Sequence, residues 1–206
     1  LSRLYLEELN EPRMARALLL EVAQVSVGTA RGLTAAALMV ESALRLDDLE
    51  QASSIIEDLG AEAARSYQLR LQRAEIRYFQ GEFGQAADSL EHLLLADLQE
   101  ELANDALALL LVLSDYAEQP AALEVLARAQ LLERQQRARE AARDWRWLQR
   151  KGPASLQPLS LLLQAEHLME AGDDVTAFDL LEGLVKTFPE SPYTLDARLQ
   201  LADIHL

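Results

Sequence analysis

Residues 67–95, YQLRLQRAEIRYFQGEFGQAADSLEHLLL, hold two amphipathic helical runs on either side of one glycine. Leu71, Ala74, Ile76, Tyr78 and Phe79 are the apolar positions of the first run. In the second, Phe83, Ala86, Leu90 and Leu93 recur at the three- and four-residue steps of a one-faced helix. Gly81 between them can take the left-handed backbone that closes a helix C-terminus at no steric cost. The stretch predicts a helical hairpin, with Ala74 and Ala86 small where the two helices cross. A hairpin this short cannot bury its own apolar stripe, so the rest of the chain must supply neighbours of the same shape.

Copies of the pattern are present. Ala52, in DDLEQASSIIEDL, precedes Ala86 by 34 residues, and Ala17 precedes Ala52 by 35. Near the end, EAGDDVTAFDLLEGLVKTFPES places Gly172, Ala177, Leu181, Leu184 and Pro189 at offsets matching the second helix. With Gly81 and Gly172 at the inter-helix turn, Ala74 and Ala165 at the small position of the first helix, Ala86 and Ala177 at that of the second, and Pro189 as the closing proline, the chain resembles tetratricopeptide repeat proteins of bacteria. The resemblance implies an all-α, right-handed solenoid of helical hairpins, about five repeats with one irregular unit, serving as a non-enzymatic scaffold for protein or peptide partners. The segment after Pro189, SPYTLDARLQLADIHL, is similar to the repeats of envelope-associated family members. That similarity leans the expected localisation towards the periplasm or outer membrane.

Composition agrees with the class. Half of the 206 residues are apolar, Leu and Ala dominate, and eight Gly and six Pro leave little room for anything but long helices. A solenoid spreads such a core along one elongated domain, expected over residues 1–206. The 19 Lys and Arg against 34 Asp and Glu give a net charge of −15, which disfavours nucleic-acid partners and favours basic or apolar ones. Without cysteine there is no disulfide framework and no thiolate for metal or catalysis. No apolar run reaches the length of a transmembrane helix; ALALLLVLS, residues 106–114, is too short. The chain starts without an initiator Met and stops inside an apolar helical pattern, which reads as part of a longer solenoid.

The period breaks after residue 95. Counting 34 from Ala86 lands on Pro120, no glycine turn precedes it, and the next recognisable second helix, RAREAARDWRWLQR, carries Ala141, 55 residues on. An irregular unit is therefore expected over about residues 98–134, with an extra helix starting near Pro120. Residues 100–116 are apolar almost all round and should be covered on several sides. From Ala141 to Ala177 the step is 36, and the chain returns to phase.

No catalytic constellation, cofactor motif or metal-ligand spacing is found. His92, His167 and His205 are scattered, and Asp47 with Asp48 and Asp173 with Asp174 are better read as helix starts than as acid/base pairs. Two candidate surfaces remain. Directly after the small position of the first helix come Glu41, Glu75, Glu166 and, phased on Ala202, Asp203. In the family this column lines the concave groove. Beside it stand Ala37, Leu71 and Leu162, four residues before, and Leu44, Tyr78 and Met169, three after. A partner-binding groove would then use Glu41, Leu71, Glu75, Tyr78, Leu162, Glu166 and Met169. The other reading of the column is that Glu is simply a good helix former in an acidic chain. The family's carboxylate-clamp Lys and Asn are not at these positions, so that activity is not expected. The second surface breaks the acidic trend: residues 134–151 hold seven of the nineteen basic side chains, and Arg139, Arg143 and Arg150 share one side of a helix with Trp147. Alternatively, Trp147 is covered by the unit before it and the arginines pair with nearby acids. The rival function is a regulatory or docking arm of a larger enzyme or transporter.

Overall fold

Each glycine-marked hairpin is present as two helices in the computed structural model, which describes residues 2, 4–8, 11–26, 28–97, 100–170 and 172–204. Among the described residues every regular element is helical and no strand occurs. The chain divides into two compact units, Leu1–Leu123 and Glu124–Leu206.

In the first unit, helices α1 (Pro12–Val25), α2 (Ala30–Arg45), α3 (Leu49–Asp58), α4 (Tyr67–Phe79), α5 (Phe83–Ala96) and α6 (Ala103–Asp115) follow one another, each packed on the next. A π-helical turn, Leu4–Glu8, lies against α1, and a 3-10 segment, Gly60–Arg65, joins α3 to α4. Helix α7 (Pro120–Arg134) runs across the boundary. The second unit continues with α8 (Ala138–Lys151), α9 (Gln157–Glu170), α10 (Asp174–Thr187) and α11 (Thr194–Ile204), again packed in succession.

Four hairpins, α2–α3, α4–α5, α7–α8 and α9–α10, share one turn. Its central residue has a left-handed backbone: φ is 63° at Asp47, 80° at Gly81, 57° at Gln136 and 78° at Gly172. In each turn that residue's N–H donates three residues back, to the carbonyls of Leu44, Tyr78, Glu133 and Met169 at 2.8–3.2 Å. The next N–H donates five residues back, to Ala43, Arg77, Leu132 and Leu168 at 2.8–2.9 Å. Orphan carbonyls at the helix end are thereby satisfied, and the chain reverses in three residues. Asp48 and Asp173 then cap the second helix, accepting from the N–H of Gln51 at 3.0 Å and of Thr176 at 3.2 Å.

Five residues after the turn residue stands an alanine in all four cases: Ala52, Ala86, Ala141 and Ala177, each fully buried. Its N–H makes the first intrahelical bond, to the carbonyl of Asp48, Glu82, Arg137 or Asp173 at 2.9–3.1 Å. Seven residues before the turn the facing position is Ala74, Ala129 or Ala165, also fully buried, with Val40 in α2. The same alanine of α1 is Ala15, not Ala17. Ala15 is buried and its N–H donates to the Glu11 carbonyl at 3.0 Å, whereas Ala17 is exposed. Counting 35 back from Ala52 misses by two, because the α2 hairpin is that much longer.

These regularities reassign the break in period. The helix starting at Pro120 is the first helix of a hairpin like the other three, with buried Ala129 and Ala141 at its crossing and Gln136, not glycine, at its turn. The surplus element is α6, which lies between two regular hairpins in the sequence. It was expected to be covered all round, but only Ala103, Ala106 and Leu113 of the helix are buried. Leu107 and Leu111 are 44% and 53% exposed.

Adjacent hairpins are tied at repeat spacing. Buried Gln72 of α4 donates from Nε2 to the Ala37 carbonyl of α2 at 3.0 Å. In the second unit Glu133 meets His167 and Glu166 meets Gln200, both pairs 34 residues apart in sequence.

Two outcomes test this packing. Leu in place of Ala15, Ala86 or Ala141 should overpack the crossing and cost about 1–3 kcal/mol in urea unfolding, while Ala17→Leu should change stability by less than about 0.5 kcal/mol. Equal effects at Ala15 and Ala17 would refute the register. A Cβ at Gly81 meets nothing within 4 Å, so Gly81→Ala should lose only the roughly 1–2 kcal/mol of a left-handed alanine; Gln136→Gly should gain up to about 1 kcal/mol. A destabilised Gln136→Gly protein would contradict the shared turn.

Candidate protein-interaction surface

The acidic column is present, and most of it is already used within the fold. Glu41 of α2, 16% exposed at its side chain, accepts from Arg45 Nε at 2.8 Å, and Arg45 in turn donates to the Leu6 carbonyl. Glu166 of α9 accepts from Gln200 Nε2 of α11 at 2.6 Å. Glu75 is half-buried, and Asp203 on α11 is exposed. In α7 the equivalent position holds Gln130, which counting from glycine turns could not reveal.

The apolar positions beside the column are inside the protein, not on a ligand-facing wall. Leu71 is 6% exposed, Tyr78 1% and Leu162 5%, with Ala37 and Leu44 likewise buried. Tyr78 packs among Phe79 and Phe83 at ring-centroid distances of 5.4 and 5.8 Å, and burial pushes its phenol above the ordinary value. Met169 is half-buried against the α9–α10–α11 core. The physical reason is that neighbouring first helices pack on the side of the helix these residues occupy, as the contacts of α2 with α4 and of α9 with α11 require. Leu71, Tyr78 and Leu162 are core residues of the fold.

Three carboxylates gather instead around His167 in the second unit. A cleft of about 530 Å³ is lined by Glu133, Gln136, Ala138, Leu163, Glu166, His167 and Glu170. Glu133 Oε1 accepts from the indole Nε1 of fully buried Trp145 at 2.6 Å and meets His167 Nε2 at 3.0 Å. One carboxylate thus joins α7, α8 and α9. The Nδ1 of His167 is buried, with Glu170 3.6 Å away. The bond to Glu133 raises the imidazole pKa above 6.5, burial opposes the rise, and Glu170 adds to it. Nearby, Arg128 grips Asp144 through Nε and Nη2, both at 2.7 Å. That pairing raises the guanidinium pKa further.

The outward side of α8 is different. Ala141, Asp144, Trp145 and Leu148 face inward and are buried. Arg139, Arg143, Arg146 and Arg150 are exposed, and Trp147 among them is 40% exposed. Arg137, at the N-terminal end, is engaged with Glu140 through Nε and Nη2 at 2.8 Å, which lowers the Glu140 pKa, with Arg143 contributing from a distance. Arg139, Arg146 and Arg150 form no ion pair among the described residues. Arg139, Arg143, Trp147 and Arg150 are thus all exposed on one side of α8.

His92 is exposed, with its Nδ1 2.6 Å from the Asp88 carbonyl oxygen, and His205 lies outside the described residues. Among the described residues no group of three or more His, Asp or Glu is placed to hold a metal ion, and no helix is long and apolar enough to cross a membrane. Comparison with known proteins finds no family model and no curated protein that matches this chain.

The His167 bond makes stability depend on pH. Its folded-state pKa is raised, so its contribution is complete below the unfolded value near 6.5 and is lost as pH rises through the folded value. Urea unfolding should show stability falling over that interval, and His167→Gln should flatten the slope. Glu133→Gln keeps an acceptor for Trp145 but removes the charge, and should flatten it in large part, leaving the smaller contribution of Glu170. An unaltered slope in both variants would deny the bond its role.

Proposed function

We propose that the chain is a right-handed α-solenoid of tetratricopeptide-like hairpins that acts as a non-enzymatic protein-binding scaffold, and that its working surface is the outward side of α8. The repeat reading is supported by four hairpins with one turn geometry, by the alanines five residues after each turn, and by Pro153 and Pro189, each twelve residues beyond its helix's alanine. A scaffold of this kind binds through side chains held rigidly on helices.

The observation that carries the choice of surface is Trp147, 40% exposed and edged by Arg139, Arg143 and Arg150, in a chain of net charge −15. Trp and Arg are the residue types that dominate interface energetics when a partner covers them. The column of Glu41, Glu75 and Glu166 supports this indirectly. These acids are engaged inside the fold, and the apolar residues beside them are buried, leaving little of that surface for a ligand.

Affinity capture from the native source separates the two surfaces. Partners retained by the wild-type chain should be lost with Trp147→Ala and with Arg143→Glu, and kept with Glu75→Lys. Partners lost with Glu75→Lys and indifferent to Trp147→Ala would overturn the assignment in favour of the acidic column.

A further inference from the structure

We infer that the α8 face takes an acidic, amphipathic protein segment: carboxylates at helical spacing around one apolar side chain that seats on Trp147. The inference rests on the reading of α8 as the working surface and adds the chemistry of what covers it.

The hairpin itself shows what its arginines select. Where a carboxylate is in reach, the guanidinium takes it with two parallel N–H donors, Arg128 with Asp144 at 2.7 and 2.7 Å and Arg137 with Glu140 at 2.8 and 2.8 Å. Fork-on-carboxylate geometry of this kind is the strong, directional form of the interaction. On the outward side Arg139, Arg143 and Arg150 present the same fork to solvent. At 1.5 Å of rise per residue they span about 16 Å, in a step of four and then seven residues with Trp147 filling the longer gap. A partner helix carrying acids four and seven residues apart can face them in register, with an apolar side chain between the second and third acids to cover the indole. Each desolvated Arg–carboxylate pair then adds to the burial of Trp147, which alone offers a large apolar area.

Charge complementarity favours a short acidic segment over an extended polyanion. The patch is one helix face wide, and a nucleic acid or an anionic bilayer would continue past it onto a molecule with fifteen excess negative charges. A peptide can end where the patch ends.

The test uses the 206-residue chain and a synthetic helical peptide with Glu at three such positions and one Leu between the second and third. The indole N–H signal of Trp147 is assigned by its disappearance in Trp147→Phe, Trp145 supplying the other. The peptide should shift that signal saturably, and a peptide of the same composition with scrambled spacing should bind about tenfold more weakly or worse. Arg143→Glu with Arg150→Glu should abolish the shift, and a peptide with Lys for Glu should restore it on that variant. The pair Arg143→Gln with Arg150→Gln, with helicity checked by circular dichroism, should weaken binding without creating the Lys-peptide site. No saturable shift, equal binding of the scrambled peptide, or an indole shift produced by a DNA oligonucleotide or anionic vesicles in place of the peptide would each overturn the inference. Should capture of native partners depend on Trp147 while the acidic peptide fails, the surface stands and the partner chemistry is wrong. Should capture ignore Trp147, the surface itself falls.

Discussion

A buried alanine at the first hydrogen-bonded position of each second helix is the constraint on which the hairpins depend. There the chain has just reversed through a left-handed residue, and the new helix begins while still within reach of the old one. Any side chain larger than a methyl would hold the two backbones apart before the turn could close. The recurrence of Ala52, Ala86, Ala141 and Ala177 at this one place, all fully buried, reflects that geometry directly. With the crossing fixed, larger residues further along the helix, such as Ile56, Leu90, Trp145 and Leu181, fill the space behind it.

Between hairpins the polar ties are specific. Gln72 reaches a backbone carbonyl of the preceding hairpin's first helix, and Glu133 serves an indole and an imidazole at once. Leaving any of these groups unpaired in the interior would cost on the order of 1–3 kcal/mol, so their pairing fixes which helix faces meet. The same economy decides what stays available for a ligand. Glu41 and Glu166 are committed to Arg45 and Gln200, whereas the arginines on the outside of α8 are left facing solvent beside an exposed Trp147.

The turns show where a residue-type signal and a geometric one part company. Gly81 and Gly172 announce their turns, because only glycine takes a positive φ without cost. Asp47 and Gln136 occupy the same conformation at φ 63° and 57° and announce nothing of the kind. Without a glycine at 136 residue type marks no turn there, so the spacing predicts an extra helix near Pro120 where the structure has the first helix of a hairpin. Ala141 and Pro153 stand twelve residues apart, as Ala177 and Pro189 do.

The sequence by itself determined the all-helical class, the hairpin at 67–95, the buried Ala52, Ala86, Ala141 and Ala177 and the outward side of α8, because each follows from periodicity within one or two helices. Trp145 and Trp147, two residues apart, must face opposite ways on any helix, and they do. Only the tertiary structure decided that Ala15 and not Ala17 is the packed alanine, that Leu71, Tyr78 and Leu162 are interior, and that Glu133 joins Trp145 to His167. Those outcomes depend on which side of a first helix its neighbours cover, a relation between residues some 34 positions apart in the chain. Local spacing fixes which residues share a face; it does not fix what lies against that face.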